Sequence, residues 1–86
     1  MPEICRFLGA IITMNFREHN PPHFHVQYGD MKAIFEIRTG KLLEGKLPPR
    51  LVRLIQEWRR IHRNELESAW QVAQDYKTPK KIKPLE

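Results

Sequence analysis

Apolar and polar residues alternate through the first half of the chain, and apolar residues recur every three or four positions through the second. The pattern predicts strands followed by helix. Gly9 to Phe16 is β-branched and apolar, Phe24 to Tyr28 alternates strictly, and Gly29-Asp30 supplies a tight turn into Met31 to Arg38. Thr39-Gly40 is a second turn, into a short strand from Lys41 to Lys46, and Pro2 to Phe7 reads as a first strand at an edge. These segments make a mainly antiparallel sheet of four to five strands. Period-two geometry puts Ala10, Ile12, Met14, Phe16, Phe24, Val26, Tyr28, Met31, Ala33, Phe35 and Ile37 on the core face. The opposite face takes Thr13, Asn15, His23, His25, Gln27, Lys32, Glu36 and Arg38, with Ile11 and Ile34 among them.

After Leu47-Pro48-Pro49, where proline suits a helix start, Leu51, Ile55, Trp58, His62, Leu66, Ala69, Ala73 and Tyr76 recur without a break in phase. This predicts one amphipathic helix, Pro49 to Tyr76, roughly 40 Å long at the helical rise. Such a helix overhangs a domain this small or kinks. Asn64 with Glu67 three residues on is a capping pair that would instead break it near His62 to Asn64. The expected fold class is therefore α+β, a four- to five-stranded mainly antiparallel sheet packed against one long or kinked C-terminal helix. Residues 1–76 form a single domain, and 77–86 a basic extended tail that Ile82 and Leu85 can anchor.

At 86 residues the chain builds a small core, which a partner or a second copy would extend. The single cysteine, Cys5, cannot form an internal disulfide and has no histidine beside it, so it is expected to be buried or inert. With no N-terminal apolar run of signal-peptide type and no stretch of about 20 apolar residues, the expectation is a cytoplasmic protein without membrane contact. A net charge of +5 favours an anionic partner such as nucleic acid or an acidic protein.

Candidate chemistry concentrates in His19-Asn20-Pro21-Pro22-His23-Phe24-His25, which holds three of the four histidines. Two consecutive prolines stiffen the segment, and His23-x-His25 on a strand points both rings to one side. His19, His23 and His25 are thus candidate ligands of a catalytic zinc, and the same three are candidate catalytic groups of a metal-free ribonuclease. No cysteine, and no carboxylate at motif spacing, joins them. Against both readings stands a structural one, in which His19 and His23 hydrogen-bond the loop backbone and His25 is an ordinary residue on a polar strand face. Lys32 and Arg38 on the same face are candidate phosphate contacts, or cross-strand ion-pair partners with Glu36. On the helix, Arg50, Arg53, Arg60 and Arg63 make a stripe that could track phosphates, but Arg53-Glu57 and Arg63-Glu67 have ion-pair spacing, as on an ordinary solvated face. Trp58 is read as core, and His62 as a packed histidine with one hydrogen-bond partner.

The residues also match a family pattern. Pro2-Glu3-Ile4 with Arg6-Phe7, the histidine-proline run, Leu43-Glu44-Gly45-Lys46-Leu47-Pro48 and the Glu57-Trp58, His62, Glu65-Leu66, Trp70 pattern together resemble the bacterial domain-of-unknown-function 4160 family, over nearly the whole chain. The resemblance implies a compact stand-alone α+β protein with a place in a toxin-antitoxin-like gene pair. It carries over no catalytic residue. The leading expectation is a macromolecule-binding module whose partner is a cognate small protein or a second copy of itself, with nucleic acid a further candidate. The alternative is a histidine-dependent RNase, metal-dependent or metal-free. Rings of His19, His23 and His25 that converge beside a cleft favour the enzyme, and diverging rings beside an apolar patch favour the module.

Overall fold

The computed structural model describes residues 2–85; Met1 and Glu86, the outer ends of the expected domain and tail, lie outside the described residues. Five strands, β1 (Glu3–Phe7), β2 (Ala10–Thr13), β3 (His23–Tyr28), β4 (Met31–Glu36) and β5 (Leu42–Gly45), form one antiparallel sheet in sequence order. Each neighbour follows directly in the chain; two-residue turns join β1 to β2 and β3 to β4, whereas the longer segment from Met14 to Pro22 joins β2 to β3. At the tip of β1 and β2, Leu8 and Gly9 both take positive φ, and Gly29 does so between β3 and β4. Gly45 is the position with no alternative: at φ +88° a Cβ there would lie 2.0 Å from the Lys32 carbonyl oxygen of the neighbouring strand.

Alternation sorts the sheet as expected at its centre. Phe24 pairs across the ladder with Phe35, their rings stacked with centroids 5.6 Å apart, and Ala10, Ile12, Val26, Ala33 and Ile37 are buried beside them. Trp58 seals this layer from the helical side, edge-on to Phe24 at 5.6 Å and tilted against Phe7 at 5.9 Å. Phe16, Tyr28 and Met31, expected in the core, are instead exposed. Tyr28 and Met31 flank the turn between β3 and β4 at the rim of the sheet, and β2 ends at Thr13, so Phe16 belongs to the following loop and packs on Tyr76.

The expected single helix is two: α1 (Pro49–Ile61) and α2 (Arg63–Gln74), which meet at His62. The longest dimension of the molecule is 33 Å, shorter than the unbroken helix would be, and the break lets both halves bury their apolar residues on one sheet. Leu51, Ile55 and Trp58 do so from α1, and Leu66, Ala69, Trp70 and Ala73 from α2. Little backbone bonding is lost. The His62 N–H still donates to the Trp58 carbonyl at 3.0 Å, and its carbonyl accepts from Leu66 at 2.9 Å. Its ring bonds Glu65 at 2.6 Å and tilts against Trp58, so the chain breaks where the alternative reading puts it, but with Glu65 as the local partner in place of an Asn64-Glu67 cap.

Two further ties fix the helical layer. Arg59 donates to the carbonyls of Ile37 and Arg38, and Gln56 to that of Gly40, so α1 is stapled to the turn after β4. The tail lacks regular structure but is held: Ile82 is buried and its N–H donates to Ile4 at 2.7 Å, while the Trp58 indole N–H donates to the Lys83 carbonyl at 2.8 Å. No helix among the described residues is long and apolar enough to cross a membrane.

Trp58 thus joins sheet, helix break and tail. Trp58→Ala should destabilise the fold by about 3–5 kcal/mol in chemical denaturation, the range for a large aromatic truncated in a core; a loss under about 1 kcal/mol would remove Trp58 from that position.

Candidate functional site

Strand alternation delivers His23 and His25 to the side opposite Phe24 and Val26, which point into the core; His25 looks onto the open sheet, while His23, at the start of the strand, is covered by α2, its side chain only 11% exposed. The loop between β2 and β3 then folds back over them. Arg17 takes a left-handed conformation (φ 48°), its N–H reaches the Ala73 carbonyl at 3.4 Å, and its guanidinium lies over the Tyr76 ring. Gln74 donates to the Glu18 carbonyl at 3.3 Å. The C-terminal end of α2 therefore holds the loop so that the Glu18 carboxylate meets both imidazoles.

Glu18 Oε1 lies 2.5 Å from His25 Nε2, 3.2 Å from His23 Nε2 and 2.9 Å from Asn15 Nδ2. The two rings stand edge to face, centroids 5.3 Å apart, and His23 is braced on its other side by Trp70 at 5.2 Å. The second nitrogen of His23, Nδ1, donates to the Pro21 carbonyl at 2.7 Å, so the double-proline turn fixes the ring's orientation. Burial alone pushes the Glu18 carboxyl up, but hydrogen bonds to His25, His23 and Asn15 outweigh it and hold the group below the usual carboxylate value. Glu18, His23 and His25 are a set of potential metal ligands, their donor atoms all within 4.8 Å of one another.

Beside the cluster a groove of about 400 Å³ runs across the open face, lined by Thr13, Asn15, His25, Gln27, Lys32 and Glu44 among others. His25 is the link between cluster and groove. Lys32 is the cation that faces it.

The other sequence candidates are dispersed. His19 is exposed and does not join the cluster, whose third member is Glu18, the residue before it. Arg38 lies beside Pro22 and Trp70, in a shallow pocket separate from the groove. Arg53 is exposed on α1. Arg60 pairs with Glu57 at 2.6 Å and Arg63 with Glu67 at 3.1 Å, so these two guanidiniums spend their charge within the helical layer. Sequence reasoning passed over Glu18 and Asn15, and found no carboxylate for the histidines because it sought one at a motif spacing. The available signal was simpler: a carboxylate in the loop joining the strand of Thr13 to the strand of His25, which are paired residues in the sheet.

Cys5 is buried, and burial pushes its thiol up from the ordinary value. It should react with iodoacetamide only on unfolding; rapid alkylation of the native protein would show that β1 opens or that the thiol is activated.

No curated protein and no solved structure matches this chain. The family model described as a domain of unknown function, DUF4160, matches residues 9–71, from the first turn of the sheet through most of α2, and so takes in the loop of Glu18, both site histidines and Trp70, but not Ala73 and Gln74, which hold that loop. The chain belongs to the DUF4160 family.

Proposed function

We propose that the protein is a histidine-dependent RNase whose centre is Glu18, His23 and His25, acting as one member of a toxin-antitoxin-like pair. The observation that carries this reading is the convergence of His23 and His25 on one carboxylate oxygen at the edge of an open groove. Diverging rings beside an apolar patch would have favoured a binding module.

RNA supplies its own nucleophile, so the protein need only take a proton from the ribose 2′-hydroxyl and steady the phosphate as that oxygen attacks phosphorus. A carboxylate-backed imidazole is suited to the first task. Glu18 accepts from His25 Nε2–H, which leaves Nδ1 as that ring's basic nitrogen. Lys32 in the groove is suited to the second, and the 5′ oxygen leaves with a proton from solvent in the open site. His23 acts through Glu18, as a positioning residue. The net charge of +5 favours approach of a polyanion.

A separate observation supports binding of a protein partner as a second reading. Leu8 and Tyr28, both exposed, lie with Pro48, Leu51 and Leu54 around a shallow apolar pocket at the hairpin tips. A cognate small protein or a second copy seated there would leave the histidine cluster open to substrate.

The test is cleavage of single-stranded RNA by the purified protein. His25→Ala should lower the rate by about 10²–10⁴-fold, the usual contribution of a positioned acid-base group, and His23→Ala by a smaller factor, while circular dichroism stays unchanged. Absence of cleavage by the wild type, with and without the product of the neighbouring gene, would overturn the reading, as would variants that cleave at the wild-type rate.

A further inference from the structure

The polar atoms of the histidine cluster face one another with too few protons between them. Pro21 offers His23 a carbonyl, which can only accept, so His23 Nδ1 carries a hydrogen. In the neutral ring Nε2 then holds a lone pair, and that lone pair points at Glu18 Oε1, itself an acceptor, 3.2 Å away. His25 Nε2 is asked for opposite things. Glu18 Oε1 at 2.5 Å needs it to donate, whereas the Asn15 amide nitrogen, which already donates to Glu18 Oε1 at 2.9 Å, faces it from 3.2 Å as a second donor. Asn15 Oδ1, at the other end of that amide, is buried without a partner. One proton satisfies one of these pairs. An imidazolium at His23 would answer its own pair, whereas a metal cation bound by Glu18 Oε1 and both Nε2 lone pairs answers both histidines.

We propose that Glu18, His23 and His25 bind a divalent transition metal through Oε1, Nε2 and Nε2, as a two-histidine, one-carboxylate site that meets the groove at His25. Two imidazole nitrogens beside one oxygen select zinc or a neighbouring first-row ion over magnesium or calcium. The spacing is close to what bonding requires. Metal–ligand bonds of about 2.0–2.2 Å place ligand atoms roughly 3–3.5 Å apart, so the 3.2 Å pair fits as it stands, the 2.5 Å pair opens by up to about an ångström, and the two Nε2 atoms, which lie within 4.8 Å of each other, close on the ion. The supporting shell is already in place: the Pro21 carbonyl on His23 Nδ1 fixes the tautomer that presents Nε2, as in most metal-bound histidines, and Trp70 fixes the ring plane. Rotation of the Asn15 amide would turn its unpartnered oxygen toward the same point. His19 is not a ligand. The site stands on its own donor geometry and does not depend on RNA being the substrate; metal on His25 Nε2 puts that ring's hydrogen on Nδ1, so the RNase reading with Nδ1 as base belongs to the metal-free protein.

The test is zinc binding to the full chain, stripped with a chelator and titrated with Zn²⁺ by calorimetry, with Co²⁺ absorption spectra to report the donor set. One ion per chain is expected, with a rise in melting temperature. Glu18→Gln, nearly isosteric and so a variant that keeps the fold, and His23→Ala and His25→Ala should each weaken binding at least about 100-fold, beyond the usual effect of losing a supporting residue. His19→Ala should bind as the wild type does. A folded wild type that takes up no stoichiometric zinc overturns the site, and so does zinc lost in His19→Ala but kept in Glu18→Gln. The RNase reading fails separately: zinc bound without RNA cleavage removes that activity and leaves the site, whereas cleavage by zinc-free protein that binds no metal removes the site and leaves the activity.

Discussion

The hydrogen bond from His23 Nδ1 to the Pro21 carbonyl is the constraint on which the metal site proposed for this protein depends. It spans two residues of sequence, and it decides which nitrogen of the ring faces the cluster. With Nδ1 committed to a carbonyl, Nε2 is left to meet Glu18, and the cluster becomes a place where lone pairs gather. A histidine free to adopt either tautomer would relax to bond Glu18 with its own proton and would present nothing to a cation. The prolines are therefore part of the site although they bring no functional group to it.

The fold supports that bond at some distance. Trp58 anchors the sheet to α1, and the break at His62 turns the chain so that α2 runs back along the same sheet and not beyond it. This brings Trp70 against His23 and the end of α2 against the loop of Arg17 and Glu18. An unbroken helix would carry those residues past the edge of the domain. The break and the site are thus linked: the apolar face that folds α2 onto the sheet also positions the carboxylate over the imidazoles.

Much of this was legible in the sequence, and what was missed has a physical reason. The strands, the turns at Gly29 and Gly40 and the placement of His23 and His25 on the polar face follow from alternation, a local property. Trp58 in the core and a partnered His62 follow from helical phase. Phase alone is silent about the break, because a single non-helical residue can turn the axis while Leu66 and Ala69 stay on the apolar side. The length of the helix against the size of the sheet carried that information. Glu18 was missed because its approach to the histidines is made by tertiary contacts, Gln74 to its carbonyl and the left-handed turn at Arg17, that no spacing rule encodes. His19 attracted attention by its neighbours alone, and the loop that turns Glu18 inward leaves it exposed.

The most direct measurement of the central claim is the tautomeric state of His23, read from long-range ¹⁵N–¹H correlations of the imidazole ring in the native protein at neutral pH. The account predicts a hydrogen on Nδ1, held against the Pro21 carbonyl, with Nε2 turned toward Glu18. A ring protonated on Nε2 alone, with a bare Nδ1, would contradict it.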